Sequence, residues 1–293
     1  MNVTAFALVF LSACLHVAWN TLVKTSADKA SFAWTTSLVS VAVLVPVFAF
    51  SRALAPGPLP PEAVGWAALS GLFEAGYVVL LFGAYGRADL SLVYPLSRGM
   101  APLVTVAAGG ALLGDRISAW GAVAVVLIAA GVAIVSFSGP RRGEERPRVG
   151  TGVLLAAGAG CLIASYQLVD RRAMRAPAPV SAVEYLCLMH AFLAAYVSVW
   201  AGLAGIARAR LLSEWKANRR SALLVGTFTP LAYLLIVLAL RDANVTYVAA
   251  ARNVGVLLSM GVGALLLRET VGAARLLGVT LTLCGLVGLV LVR

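Results

Sequence analysis

Arg98 and Arg252 are the residues of this sequence whose type and setting most directly suggest chemistry. Each sits about eight residues into an apolar run of membrane-spanning length, the first in 91–113 and the second in 245–267. A charge at that depth costs several kcal/mol unless it is paired or hydrated, so both arginines are candidate ligands for an anionic group. Glu74, about twelve residues into the run 63–85, is the one acidic residue read as lying so deep. It could pair with Arg98 or Arg252, bind a substrate ammonium, or carry a proton during a transport cycle.

A second group is set by helical spacing. His16, Trp19 and Asn20 stand at i, i+3 and i+4, so they share one helical face, and a polar face on a membrane helix must point at protein or water. The stretch Cys14–Lys24, CLHVAWNTLVK, returns as Cys161–Arg171, CLIASYQLVDR, which places Tyr166 and Gln167 on Trp19 and Asn20. Tyr77, Tyr94 and Tyr233 add hydroxyls too deep for aromatic-belt anchoring. Together they describe an aromatic-walled, polar-tipped pocket suited to a small amphipathic solute bearing a carboxylate. Glu184, one turn inside its run, reads as snorkelling to the interface, and His190 as structural.

The elements that must position these residues follow from composition. Of 293 residues, 61% are hydrophobic and 12% charged, and the mean hydropathy is +0.94. Such a chain has too little polar surface to cover a water-soluble globule, so lipid is its solvent. About 20 apolar residues span a bilayer as a helix, and that measure gives ten spans: 3–23, 31–51, 63–85, 91–113, 118–137, 150–169, 181–204, 221–240, 245–267 and 273–292. The expected fold is an all-α polytopic membrane protein. The polar stretch 138–149 separates a first repeat, 1–137, from a second, 150–293. Gly71-Leu-Phe73 is echoed by Gly226-Thr-Phe228, and Asp115 by Glu269. An odd number of spans per copy makes the two five-helix repeats inverted, with a binding site near the axis between them.

Net charge of +11 would suggest nucleic acid as a partner of a soluble protein. Here 21 of the 23 basic residues lie in links or at the C-terminus, where they face lipid head groups, so no nucleic-acid binding is expected. Links after odd-numbered spans hold 14 of them and the remainder hold seven, a bias that puts both termini outside the cytoplasm. Cys14, Cys161, Cys187 and Cys284 lie inside apolar runs without a CxxC pair, so neither a metal site nor a disulfide framework is indicated. The first run has no basic residue ahead of it and is read as a span rather than a cleaved signal. Gly110-x-x-x-Gly114 and Gly278, Gly285 and Gly288 read as close-packing stripes, and Pro95, Pro102 and Pro230 as kinks. No HxxxD, DxxD or HExxH cluster supports a membrane enzyme acting on lipid-linked substrates.

HVAWN in the first run, VYPLSRG at 93–99, LLGDR at 112–116, AAARN at 249–253 and LLLRE at 265–269 together resemble the drug/metabolite transporter superfamily, in its ten-helix form built of two EamA repeats. The resemblance implies a secondary transporter, usually an exporter of amino acids or other small metabolites, in a bacterial inner membrane. It implies a central cavity lined by helices one, three, four, six, eight and nine, which adds Asn253 to the candidates above, and termini in the cytoplasm, against the charge count. The expectation is therefore a transporter with no cofactor, moving a small-molecule substrate across a lipid bilayer by alternating access, with Glu74 permitting proton coupling. A phosphonate or other organic anion is the alternative substrate, and a non-transporting membrane helper the alternative role.

Overall fold

A helix satisfies every backbone N–H and C=O within its own segment, which a chain this apolar requires in lipid. The computed structural model describes residues 3–23, 26, 28–85, 87, 90–114, 117–137, 149–176, 180–258 and 272–291. Its helices are α1 (Val3–Val23), α2 (Lys29–Leu54), α3 (Pro61–Tyr85), α4 (Leu90–Leu113), α5 (Ala119–Phe137), α6 (Val149–Met174), α7 (Ala182–Leu203), α8 (Arg208–Asp242), α9 (Val245–Ala251) and α10 (Ala273–Leu291). Six of them, α1, α2, α3, α6, α7 and α8, are long and apolar enough to cross a membrane. With the shorter apolar stretches of α5, α9 and α10, they make a multi-pass membrane protein. The polar stretch 138–148, Asp115, and 259–271 with Glu269 lie outside the described residues.

The most extensive contacts join early helices to late ones: α1 to α8, α3 to α6, α4 to α6, α2 to α7 and α8, α3 to α7, and α5 to α10. Exchanging each helix for the one five places along carries α1–α8 into α3–α6 and α2–α8 into α3–α7. It returns α2–α7, α4–α9 and α5–α10 to themselves, and carries α4–α6 into α1–α9, a much smaller contact. Small residues permit these approaches. A Cβ on Gly160 of α6 would stand 2.6 Å from the Ser97 carbonyl oxygen of α4, and one on Gly285 of α10 would stand 2.6 Å from that of Ala124 in α5. Gly114 differs, with φ +64 and nothing within 4 Å of an added Cβ. It serves the left-handed turn that ends α4, not close packing.

Proline leaves one carbonyl of α8 without its helical donor. Pro230 has no N–H, so the carbonyl of Gly226, four residues back, loses its helical donor. The Ser40 hydroxyl of α2 donates to that carbonyl at 2.8 Å. The helix is also interrupted at Asn218 (φ −127, ψ 25). The interruption separates the membrane-spanning part of α8 from a basic amphipathic segment, 208–217, that the sequence reading assigned to a link. Removing the serine hydroxyl orphans a buried acceptor, which costs about 1–3 kcal/mol. Ser40→Ala is therefore expected to lower thermal stability by that amount, and to cost much less in a Pro230→Ala background, where residue 230 regains its own N–H. Equal losses in the two backgrounds would break the assignment.

Three further elements depart from the sequence reading. Helix α6 runs on to Met174, beyond the expected end at residue 169, because the charged residues there find partners inside the protein. Arg171 is 2% exposed and donates from Nη1 to the carbonyls of Leu240 and Arg241, the latter at 3.0 Å. These are carbonyls of a helix end, which lack intrahelical donors. Arg171 is thus a third buried arginine, not a link residue. Glu184 does not snorkel: it closes a capping box with Ser181 and pairs with Arg52 Nη1 at 3.0 Å. Helix α9 stops at Ala251, turns at 252–253 and resumes over 254–258.

At the opposite end of α2, Asp28 caps the helix through Ser31 and takes the Arg210 guanidinium at 2.7 and 3.0 Å. Partial burial alone would raise the Asp28 carboxyl, but the hydrogen bonds from Ser31 and Arg210 outweigh it and hold it below its usual range.

Candidate functional site

A cavity of about 80 Å³ lies between the two halves of the chain. At roughly 10–15 Å³ per water, it has room for several. It is lined by His16, Trp19 and Asn20 of α1, Glu74 and Tyr77 of α3, Arg98 of α4, Tyr166 of α6, Tyr233 of α8, and Arg252 at the turn after α9. Nine of the twelve candidate residues therefore meet around one space. α2 and α7, which the sequence reading left out, also contribute, through Thr36, Ser37 and Ser40 and through His190 and Leu193.

The other three candidates stand apart. Gln167 is fully buried and does not line the cavity; neither of its amide atoms has a partner among the described residues, and nothing in the structure explains this. Asn253 turns its amide to the carbonyls of Ala250 and Ala249 at 3.2 and 3.5 Å, covering acceptors that the end of α9 leaves open. Tyr94 lies on α4, and its side chain is outside the described residues.

Helical spacing gives the α1 face its order. The Ser12 hydroxyl donates to the Ala232 carbonyl of α8 at 2.7 Å, which fixes α1 against α8. His16 Nδ1 donates to the Ser12 carbonyl at 2.8 Å, so Nε2 is left as an acceptor, and the Arg252 guanidinium meets it at 3.4 Å. Asn20 Nδ2 donates to the His16 carbonyl at 2.7 Å. The His16 and Trp19 rings are 5.7 Å apart, and Trp19 Nε1 has no partner among the described residues.

The opposite wall is aromatic. The Tyr166 ring meets Tyr77 edge-on at 6.1 Å and Tyr233 at 5.5 Å. Arg252 lies 5.8 Å from the centre of the Tyr233 ring, a cation–π distance. Glu74 Oε2, Arg252 Nη1 and His190 Nε2 are buried without hydrogen-bond partners among the described residues. Buried polar atoms are nearly always satisfied, so a carboxyl oxygen, a guanidinium nitrogen and a ring nitrogen left open around one cavity set it apart from the packed core.

Below the aromatic wall lies a group the sequence reading missed. Asp170 is fully buried one turn beyond Tyr166 and accepts from Ser70 Oγ at 2.5 Å, from the Tyr185 hydroxyl at 2.7 Å and from the Tyr233 hydroxyl. Three helices, α3, α7 and α8, thereby converge on a carboxylate of α6. The available signal was the triplet Val169-Asp170-Arg171 inside the repeated stretch, which hydropathy alone places at a span end.

Residues 150–291 match the EamA-like transporter family. A solved crystal structure aligns over 100% of both chains with a TM-score of 0.71 at 20% identity, a likeness of fold alone. No curated protein matches the chain.

Proposed function

Residues 150–291 are an EamA-like transporter family domain, of the drug/metabolite transporter superfamily, and from that premise we propose that this membrane transporter exports small polar metabolites such as amino acids. In this reading two inverted five-helix repeats, 1–137 and 150–293, rock about the cavity in a bacterial inner membrane, exposing it to one face and then the other. The exchange symmetry of the helix contacts supports the repeat arrangement. The observation that carries the substrate class is the balance of open charge around one small space. Arg252 offers an unpartnered guanidinium nitrogen and Glu74 an unpartnered carboxyl oxygen. A solute bearing both an ammonium and a carboxylate satisfies the two at once, and the Tyr77, Tyr166 and Tyr233 rings hold its body. Glu74 is also the group through which a proton would couple to transport.

The experiment is thermal stability of the purified protein against zwitterionic amino acids, their decarboxylated amines, their deaminated acids and phosphonates. A ligand that binds the folded state alone adds about 2.7 kcal/mol at 100 times its dissociation constant. Stabilisation by zwitterions, and not by the amines or acids, is the expected result, with flux of the same compounds in proteoliposomes. Stabilisation by phosphonates alone would replace the substrate class with organic anions. No stabilisation and no flux across the panel would discard the reading in favour of a helper role.

A further inference from the structure

The cavity is not centred in the bundle. Its lining comes from the second halves of α1, α3 and α7 and the first half of α2, so it extends toward the end that holds the α1–α2 link and the start of α8. At its other end Tyr166 and Tyr233 form a floor, and Asp170 sits directly beneath them. We propose that Asp170 is the lock that closes this floor, holding α3, α6, α7 and α8 together in the present conformation and releasing them when the cavity opens to the opposite face. The proposal rests on the alternating-access reading above.

Two observations carry it. The first is the number of elements that one buried carboxylate ties: Ser70 from α3, Tyr185 from α7 and Tyr233 from α8, with Arg171, the next residue, fastened to the α8 carbonyls of Leu240 and Arg241. Hydrogen bonds to a charged acceptor are the strong ones, and breaking all three at once is a discrete event, not a gradual slackening. The second is what stands at the counterpart positions. The echo that lays Cys14–Lys24 on Cys161–Arg171 pairs Val23 with Asp170, and the echo of Gly71 by Gly226 pairs Ser70 with Val225. Val23 and Val225 are both buried, both line the cavity, and belong to one apolar cluster at its far end. At these counterpart positions one end of the bundle is thus fastened by directional hydrogen bonds to a buried carboxylate and the other by apolar contact, the polar tie at that end being the partly exposed pair of Asp28 and Arg210. That difference biases the protein toward the conformation in which the Asp170 end is shut.

The test reads both ends at once. In a background with the four native cysteines replaced, Ala67→Cys reports the Asp170 end, one turn along α3 from Ser70, and Thr36→Cys reports the cavity end. Each is labelled with a maleimide in liposomes, with and without Asp170→Asn. The lock predicts that labelling at residue 67 rises several-fold while labelling at residue 36 falls, because opening one end closes the other. A residue that merely stabilises the fold would raise both or neither, and either result overturns the proposal. Tyr185→Phe, which removes one donor and keeps the ring, must shift both sites the same way to a smaller extent, and decides the matter if Asp170→Asn does not fold. Flux of the unlabelled wild-type chain is measured alongside. Flux without reciprocal labelling in the variants fails the lock alone, whereas a wild-type chain that moves no solute fails the transport reading.

Discussion

Arg252→Ala is expected to abolish solute-dependent stabilisation and flux while leaving insertion and folding intact. The guanidinium has three contacts with side chains, the 3.4 Å approach to His16 Nε2, a hydrogen bond with the Tyr166 hydroxyl and the position over the Tyr233 ring at 5.8 Å. None is a bidentate ion pair, and Nη1 has no partner among the described residues. Removing an intramembrane charge also eases insertion. What the alanine variant loses is the group that would meet a solute carboxylate. Truncating one partner of a buried charged pair costs about 2–5 kcal/mol, on the order of 30- to several-thousand-fold in affinity. Arg252→Lys keeps the charge but not the planar fork, and should retain a fraction of the activity. Undiminished flux in Arg252→Ala would make the arginine a packing element.

The second large effect is on assembly of the bundle. Gly71 lies where α3 crosses α7, and a Cβ there would stand 2.8 Å from the Met189 carbonyl oxygen, 2.9 Å from Phe192 Cβ and 3.0 Å from the Leu193 nitrogen. Two of the three are backbone atoms, which cannot swing aside. Gly71→Ala must push the helices apart, at a cost of about 1–3 kcal/mol, and Gly71→Leu should prevent accumulation of folded protein. Gly65→Ala on the same helix is the control: nothing lies within 4 Å of its added Cβ. There the substitution should be neutral or stabilising by about 0.5–1 kcal/mol, since alanine is the better helix former. Melting curves of purified Gly71→Ala and Gly65→Ala and the folded yield of Gly71→Leu check the set, and equal behaviour of the two alanine variants would contradict the close crossing.

The residues around the cavity were legible where burial of charge is costly. Arg98, Arg252 and Glu74 lie too deep in apolar runs for any reading but an internal one, and the spacing of His16, Trp19 and Asn20 fixed their common face. Asp170 and Arg171 were not legible, because a charged pair near the end of an apolar run looks the same whether it meets water or a ring of hydroxyls. Only the arrival of Ser70, Tyr185 and Tyr233 from elsewhere in the chain distinguishes the two cases. The capping box at Ser181 and Glu184 was readable as S-x-x-E, yet depth in the span drew attention to snorkelling instead. The break after Ala251 carries neither glycine nor proline at its turn residues, Arg252 and Asn253, so no local signal announced it. Pro230 marks in the sequence the carbonyl it leaves open, at Gly226, but not the Ser40 hydroxyl of another helix that covers it.

The fastenings of α2 limit how the bundle can move. Its start is held to Arg210 through Asp28, its middle to α8 through Ser40 and the close seat of Val39 on Gly226, and its end to Glu184 through Arg52. Sliding α2 along its axis by one helical turn, roughly 5.4 Å, would break all three together. A tilt about the middle contact strains the outer two most, and these are ion pairs on flexible side chains. Domain motions divide into shear and hinge, and α2 is built as the axle of a hinge.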